Sequence, residues 1–538
     1  MTKIILRVFL LITFIVAVGL LSVGIAQQST TTLTGEWVGN SEPSGRSEFL
    51  RLSLTENTGD MRKPIKAKAT LVQLEGSRVR LEFSSLKLVM NGTLAGDEIE
   101  GEAEVPGTKA RFHLTRTVKV APEILSRYVG AYRFRNGDYL MIDSFADTPD
   151  TLFVTDVKSG QARAVFPRSE TQFTGGPALY VASPTRQTLT FRGDGVHVID
   201  LDQNGRQSGA FATRAPITRE EVTFKNGDVT LAGTLLIPAA KGKGGKHPAV
   251  VYTHGGGPQS REVYWGLGYL YAARGFVVLS YDKRGVGKST GNWREASFEN
   301  LADDAVAGAR FLQARTEVAA NQIGFWGQSQ GGWIAPLAAS RFPDAAFAIA
   351  LSGGGLTPAE TELFDTEYEL SKAGYTADEV KAALAWQRLK NEIINSKDKW
   401  DEYAKARATA KDQKWFRHQG IDVFGPEKPD HPFWAYMHSF YFYDPAPTLR
   451  ASKAPLLAIF GELDTPEGVK AEVSAIRRIM DQAGRRDYIV KVYPNGSHNL
   501  MEVPPENPNE WTRLKRFPPG LFEMMVDWTT TQVRRRAK

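Results

Sequence analysis

Ile323-Gly324-Phe325-Trp326-Gly327-Gln328-Ser329-Gln330-Gly331-Gly332-Trp333-Ile334-Ala335-Pro336-Leu337-Ala338-Ala339 is the stretch on which the fold turns. An apolar run, Ile323-Gly324-Phe325-Trp326, leads into a G-x-S-x-G motif. A helix-compatible run leads out, with Pro336 expected to fit only a first helical turn. Strand, sharp turn and helix form the elbow that lifts a serine above the edge of a sheet, where it serves as a nucleophile. Small residues flank Ser329 because such a turn brings neighbouring backbone close. The same letters could form an ordinary glycine-rich turn, so the surrounding elements carry the decision.

Working outward, continuous apolar runs recur at residues 249–252, 276–280, 347–351, 456–460 and 488–492, separated by helical segments. Strands without polar alternation, joined by helices, form a mostly parallel sheet covered on both faces. A hairpin pattern precedes them, with Val222-Thr223-Phe224, then Asn226-Gly227, then a strand from Leu231 to Pro238. The expected class is α/β, a doubly wound, mostly parallel sheet spanning 217–538. Between about 356 and 448 the alternation stops. Thr376 and Glu379 make a capping box, and Val380, Leu384, Leu389 and Ile393 follow at helical spacing. The aromatic cluster Phe433, Trp434, Tyr436, Phe440, Tyr441, Phe442 and Tyr443 comes next. This segment reads as a helical cap over the sheet edge, its aromatics serving either as pocket lining or as core.

Serine needs a base. Of the eight histidines, His113 and His197 lie ahead of the sheet, His247 and His254 precede the serine, and His418, His431 and His438 lie in the cap. His498 alone follows a late strand, in Asn495-Gly496-Ser497-His498-Asn499. The acid belongs after the preceding strand, in Gly461-Glu462-Leu463-Asp464. Asp464 is the first choice for holding the imidazole, and Glu462 is the rival. An oxyanion needs two backbone donors. One is the N–H of Gln330, directly after the serine. The other comes from Thr253-His254-Gly255-Gly256-Gly257-Pro258, with Gly256 favoured and Gly257 the alternative. The run Gly287-Lys288-Ser289-Thr290 imitates the end of a phosphate loop, but Asp282 stands where that motif requires glycine. His431 and His438 lack metal-ligand spacing, so neither a metal nor another cofactor is expected.

His254-Gly255-Gly256-Gly257-Pro258, Tyr281-Asp282-Lys283-Arg284-Gly285-Val286-Gly287-Lys288-Ser289, the Ser329 elbow, Gly461-Glu462-Leu463-Asp464 and Gly496-Ser497-His498 together resemble the serine aminopeptidase/prolyl-oligopeptidase-like branch of the α/β-hydrolases. Bacterial secreted carboxylesterases are the nearest match. The resemblance covers about 217 to 538. It implies a serine hydrolase with Ser329, Asp464 and His498 as its triad, and a structural role for Asp282 and Arg284 in supporting loops. An ester with an apolar acyl group needs only a greasy pocket. A peptidase needs a fixed charge for a substrate terminus, and the sequence offers no obvious one. The expected function is therefore carboxylic ester hydrolysis, with a peptidase acting on short peptides as the alternative and a non-catalytic binding protein as the reading from another class.

Ahead of the sheet, residues 27–118 and 119–216 read as two small β-rich modules. Leu50-Arg51-Leu52-Ser53-Leu54 and Val79-Arg80-Leu81-Glu82-Phe83 alternate apolar and polar residues, with turns expected at Asn91-Gly92 and Ala95-Gly96-Asp97. Residues 1–26 differ. Lys3 and Arg7 precede an apolar run, and Gly24-Ile25-Ala26 offers small residues before Gln27. This is the pattern of a cleaved secretory signal, implying a secreted or periplasmic protein with no stable membrane insertion after cleavage. The chain has no cysteine, which excludes disulfides, thiolate metal sites and a cysteine nucleophile. Formal charge is +6 over 538 residues, but the excess sits at the ends, in Lys3, Arg7, Arg534, Arg535, Arg536 and Lys538. No basic surface for nucleic acid is expected. The expected partners are small-molecule esters or short peptides, and the sequence does not fix the oligomeric state.

Overall fold

Period-two patterning dominates the first part of the computed structural model, which describes residues 32–42, 48–144, 148, 150–202, 204, 206–263, 265–420, 425–503 and 514–536. The expected signal, residues 1–26, lies outside them. The chain divides into two units, residues 1–117 and 118–538.

In the first unit, nine strands are found among the described residues: β1 (Gly35–Ser41), β2 (Glu48–Leu54), β3 (Gly59–Lys63), β4 (Ala67–Lys68), β5 (Leu71–Glu75), β6 (Arg78–Phe83), β7 (Leu88–Ala95), β8 (Glu98–Val105) and β9 (Thr108–Thr117). They form one sheet ordered β4-β3-β2-β1-β9-β8-β7-β6-β5. Leu50, Leu52 and Leu54 of β2 and Val79, Leu81 and Phe83 of β6 turn inward with Trp37 to make its core, as alternate side chains must. The turn expected at Asn91-Gly92 is absent: both residues lie inside β7, paired with Glu102 and Gly101. A side chain at 92 would press on the Glu100 carbonyl, Ile99 and the Phe112 ring, so this glycine makes room for packing rather than for a turn.

The second unit begins with α1 (Pro122–Tyr128) and then β10 (Gly130–Phe134), β11 (Tyr139–Asp143), β12 (Leu152–Asp156), β13 (Ala162–Pro167), β14 (Gln172–Gly175), β15 (Gln187–Arg192), β16 (Gly195–Leu201) and β17 (Gln207–Arg214). These close into an antiparallel barrel, β17 pairing back to β10. Leu140, Ile142, Val154, Leu189 and Phe191 fill the interior. Ala131 and Met141, of opposite parity, point outward into a different core shared with the remainder of the unit.

That remainder comprises β18 (Ile217–Asn226), β19 (Val229–Pro238), β20 (His247–Thr253), α2 (Trp265–Ala273), β21 (Val277–Tyr281), α3 (Phe298–Gln313), β22 (Val318–Gln328), α4 (Gln330–Arg341), β23 (Ala345–Leu351), α5 (Pro358–Lys372), α6 (Ala377–Asn395), α7 (Trp400–Ala410), α8 (Pro432–His438), α9 (Ala446–Ala451), β24 (Leu456–Gly461), α10 (Pro466–Gln482), β25 (Tyr488–Tyr493) and α11 (Leu521–Arg536). The strands form a sheet ordered β18-β19-β21-β20-β22-β23-β24-β25. β18 and β19 run antiparallel to their neighbours, and the pairs from β21 to β25 are parallel. In β20, Ala249 and Val251 join a core with α3, α4 and α10. Val250 and Tyr252 join the core on the opposite face, with α2, α11 and the outward-facing barrel residues Ala131 and Met141.

Pro336 corrects one expectation, since it sits well inside α4 rather than in its first turn. The position four residues earlier is Gly332, and the whole segment from Gln330 to Ala339 is buried. Tertiary packing holds the helix together across the missing donor. Helices α5 to α8 form the cap. Its own core contains Leu370, Trp386, Ile393, Tyr403, Trp434 and Tyr441, and α5 and α6 each begin with a capping box.

Candidate active site

β22 ends at Gln328 and α4 begins at Gln330, leaving Ser329 alone to make the turn. It adopts φ 57° and ψ −123°, a left-handed conformation that costs a non-glycine residue about 1–3 kcal/mol and persists only where its surroundings enforce it. Its N–H donates to the Leu351 carbonyl at 2.8 Å, and its carbonyl accepts from the Gly332 N–H at 2.7 Å. The hydroxyl makes no capping bond to the helix. At Gly327 a Cβ would collide with the Gly331 carbonyl and the Thr253 hydroxyl, so the motif's first glycine is dictated by the close approach of two chain segments.

Two loops are tied beside the elbow. After β24, the Leu463 N–H donates to the Gly496 carbonyl at 2.8 Å, linking the acid loop to the histidine loop. After β25, the His498 carbonyl accepts from Ser352 Oγ at 2.8 Å and Gln328 Nε2 at 3.2 Å. The variable residue before Ser329 thus pins the histidine loop. His498 Nδ1 lies 2.8 Å from Asp464 Oδ2. With a carboxylate as acceptor, Nδ1 carries the proton and Nε2 the lone pair. The rival Glu462 instead accepts from the Asn495 N–H at 3.3 Å. Loss of hydration works against charging the His498 ring, yet the Asp464 and Asp365 carboxylates outweigh it, and its pKa is raised above 6.5.

Ser329, Asp464 and His498 line one cavity of about 390 Å³, together with Gly256, Gly257 and Gln330. Gln330 opens α4, whose first N–H groups lack intrahelical partners and favour an anion. The Gly256–Gly257 loop follows β20 and is tied to the elbow through Thr253 Oγ1, which donates to the Trp326 and Gly331 carbonyls at 3.2 and 3.3 Å. His254 is buried with Nε2 2.5 Å from the Tyr281 carbonyl; burial first, then Lys283, lower its pKa to about 3. It stays neutral and is committed to holding this loop.

Asp282 and Arg284 sit behind the site. Asp282 holds Arg261 through bonds of 2.7 and 3.1 Å and accepts the Lys288 N–H at 2.9 Å. Arg284 grips Asp304 through two bonds of 2.7 Å. The Gly287-Lys288-Ser289-Thr290 run is therefore folded around a carboxylate, not shaped for a phosphate.

The cap supplies what sequence reasoning missed. Tyr436, Phe440 and Tyr441 line the cavity, whereas Trp434 meets Tyr403 edge to face inside the cap and Phe442 is exposed. The aromatic cluster is thus divided between lining and core. Three carboxylates join the lining: Glu362, Asp365 and Glu472. Burial raises Asp365 to about 6 and Glu472 to about 7. Glu472 accepts the Gly355 and Leu356 N–H groups, the latter at 3.2 Å, and Asp365 accepts from Thr465 Oγ1. Glu362 accepts from Gln387 Nε2 at 3.2 Å and faces the buried ammonium of Lys390. In sequence these acids look like the exposed face of amphipathic helices. For Glu362 and Asp365 the docking of α5 turns that face inward, while Glu472 is buried on α10. Outside this cavity, Glu98, Glu100 and His113 bring three atoms of metal-ligating type within 4.8 Å of one another. They lie on neighbouring strands of the first unit.

Residues 250–513 match the model of the alpha/beta hydrolase family. The esterase EstD of Thermotoga maritima is 23% identical over 332 residues, covering 58% of this chain and 71% of that protein. Among solved structures, a proline iminopeptidase of Mycobacterium smegmatis aligns over 59% of this chain and 99% of its own, at 18% identity and a TM-score of 0.36. An esterase of Pyrococcus furiosus aligns over 60% and 91%, at 16% identity and a TM-score of 0.36.

Proposed function

We propose that this chain, a member of the α/β-hydrolase superfamily, hydrolyses carboxylic esters through an acyl-enzyme on Ser329. The observation that carries the reading is the Asp464–His498 hydrogen bond in the same cavity as the Ser329 elbow. His498 Nε2 takes the hydroxyl proton as Oγ attacks the ester carbonyl. The N–H groups of Gln330 and Gly256 hold the oxyanion. The imidazolium, steadied by Asp464, protonates the leaving alcohol. Water then attacks the acyl carbonyl as His498 removes its proton, the imidazolium returns that proton to Ser329 Oγ as the acyl–oxygen bond breaks, and the acid is released. Tyr436, Phe440 and Phe298 give the cavity an apolar wall suited to a small acyl group. The relative EstD is itself an esterase.

The carboxylates of Glu362 and Asp365 favour a second reading, in which the substrate carries an amine and the enzyme is a peptidase. Turnover of a panel of p-nitrophenyl esters against aminoacyl and prolyl p-nitroanilides separates the two. Faster, specific cleavage of the anilides overturns the esterase reading. A fluorophosphonate probe is expected to label wild-type protein and spare Ser329→Ala. We also propose that residues 1–26 direct export to the periplasm or the medium. N-terminal sequencing of the exported protein is expected to begin at Gln27, and recovery of only cytoplasmic, full-length chain counts against this.

A further inference from the structure

Lys283 is 1% exposed and is not used by the proposed mechanism. Its ammonium donates to the Gly255 carbonyl at 2.9 Å, the Gly257 carbonyl at 3.1 Å and Gln330 Oε1 at 2.6 Å. An ammonium has three protons, and each has one oxygen. Among the described residues no carboxylate comes within ion-pair distance of it. A buried cation without a counter-ion is expensive, so its retention calls for a reason.

The peptide groups it touches supply one. The Gly255 carbonyl and the Gly256 N–H belong to the same planar, trans peptide, so they point in opposite directions. A cation on the carbonyl side fixes the plane of that group, turns the N–H away from itself and makes it a stronger donor. Gly256 is the residue whose N–H is assigned to the oxyanion, and it lines the cavity. Lys283 touches the Gly257 carbonyl but not that of Gly256, so it does not hold the peptide that carries the Gly257 N–H. The third bond holds the side chain of Gln330, whose N–H is the other donor. Gly257, at φ +73°, gives the loop the bend that brings both carbonyls back onto one ammonium. The Trp293 ring, 5.6 Å away, closes the other side. Burial draws the Lys283 pKa down to about 7, while the three oxygen acceptors favour the charged form.

We propose that Lys283 is a positioning residue that aims both oxyanion donors, selecting Gly256 over Gly257. The inference rests on the acyl-enzyme reading above, and Lys283 acts through the backbone, not on substrate.

The test uses the full chain, a short p-nitrophenyl ester, and a matched pair of ketone inhibitors. The trifluoromethyl ketone forms an anionic tetrahedral adduct with serine. The methyl ketone of the same length binds without forming a stable one. Lys283→Met is expected to lower kcat roughly 100-fold, the scale of one lost oxyanion donor, with KM within about 3-fold. Its Ki for the trifluoromethyl ketone is expected to rise about 100-fold, and that for the methyl ketone to change by less than about 3-fold. A folded Lys283→Met with kcat within about 5-fold of wild type overturns the proposal. So does an equal loss for both ketones, which marks general damage to the site. If Lys283→Met does not fold, Gln330→Leu, which removes one of the three acceptors and leaves the backbone N–H, gives the answer. It is expected to lose about 10-fold in kcat at unchanged KM, and no loss overturns the proposal. Wild-type ester turnover that survives Ser329→Ala removes the acyl-enzyme reading and this inference with it. Turnover that depends on Ser329 but not on Lys283 removes the inference alone.

Discussion

At His498 two influences compete. Burial lowers the proton affinity of the ring, and the Asp464 and Asp365 carboxylates raise it, with the carboxylates prevailing. A base must be unprotonated to act, so activity falls as pH drops through the His498 pKa. With that pKa raised, the acid limb of kcat/KM lies above 6.5. Asp464→Asn removes the main raising charge and leaves burial opposed only by Asp365. The limb is expected to move to lower pH, and kcat to fall ~10³–10⁴-fold because the ring loses its tautomer and orientation. Profiles of kcat/KM from about pH 5 to 9 for both proteins check this, and an unmoved limb sinks the assignment. Ser329→Ala is expected to fold with an unchanged thermal transition and to lose at least ~10³-fold in turnover. His113→Ala, in the other unit, is expected to lose little. That Ser329, Asp464 and His498 line one cavity was legible in the sequence because each follows its own strand of the parallel sheet. Lys283, Glu362 and Asp365 were not. Nothing local distinguishes them from solvated charges, and their positions result from tertiary approach between segments far apart in sequence.

Elements depend on contacts that periodicity does not record. The strands expected from the apolar runs overlap β20 to β25, and β21 begins one residue later than expected, at Val277. Continuous burial on both faces leaves a signal that survives without knowledge of the partners. The two misread glycine and proline positions are of another kind. Asn91-Gly92 carries the letters of a turn but lies in β7, and Pro336 carries the letter of a first helical turn but lies deeper within α4. At Pro336 burial overrode local preference; at Asn91-Gly92, exposed and half-buried, pairing with β8 did. The buried stripe of α6 includes Gln387 and Lys390 beside Val380, Ala383, Trp386 and Ile393, so an apolar pattern alone understated its inward face. The elbow gives the sharpest test at this scale. Gly327→Ala must displace both the Gly331 carbonyl and the Thr253 hydroxyl, which belong to the turn and to the loop after β20. It is expected to cost several kcal/mol of stability (at the high end for a single substitution) and to abolish turnover. Urea unfolding followed by circular dichroism measures the first. A variant with unchanged midpoint and activity shows that the close approach has no consequence.

For the whole molecule, the question is which parts can stand apart. A break near residue 216 looks natural in sequence, where β-rich modules give way to the α/β pattern. The structure places the stronger division at 117/118 and joins the barrel to the α/β sheet. Val129, Ala131, Met141 and Val157 of the barrel region share a core with α2, α11 and the sheet. Asp143 Oδ2 accepts the Gly266 N–H of α2 at 2.9 Å. The segment leading to α11 bonds along the barrel, with Leu179 N–H to the Leu514 carbonyl at 2.7 Å, Ala162 N–H to Lys515 at 2.9 Å and Phe517 N–H to Gly160 at 2.8 Å. Removing the barrel exposes three sizeable apolar contacts, each worth ~1.5–3 kcal/mol when fully buried, together with the backbone groups of 514–517. That loss is comparable with the ~5–15 kcal/mol by which whole domains are stable. A chain of residues 118–538 is therefore expected to melt cooperatively and to keep kcat within about 3-fold of the longer protein. A chain of residues 216–538 is expected to aggregate or to melt far lower. Differential scanning calorimetry and size-exclusion chromatography of the two chains distinguish the outcomes. A monomeric, cooperative and active 216–538 shows that the barrel contacts carry no stability that the sheet and cap need.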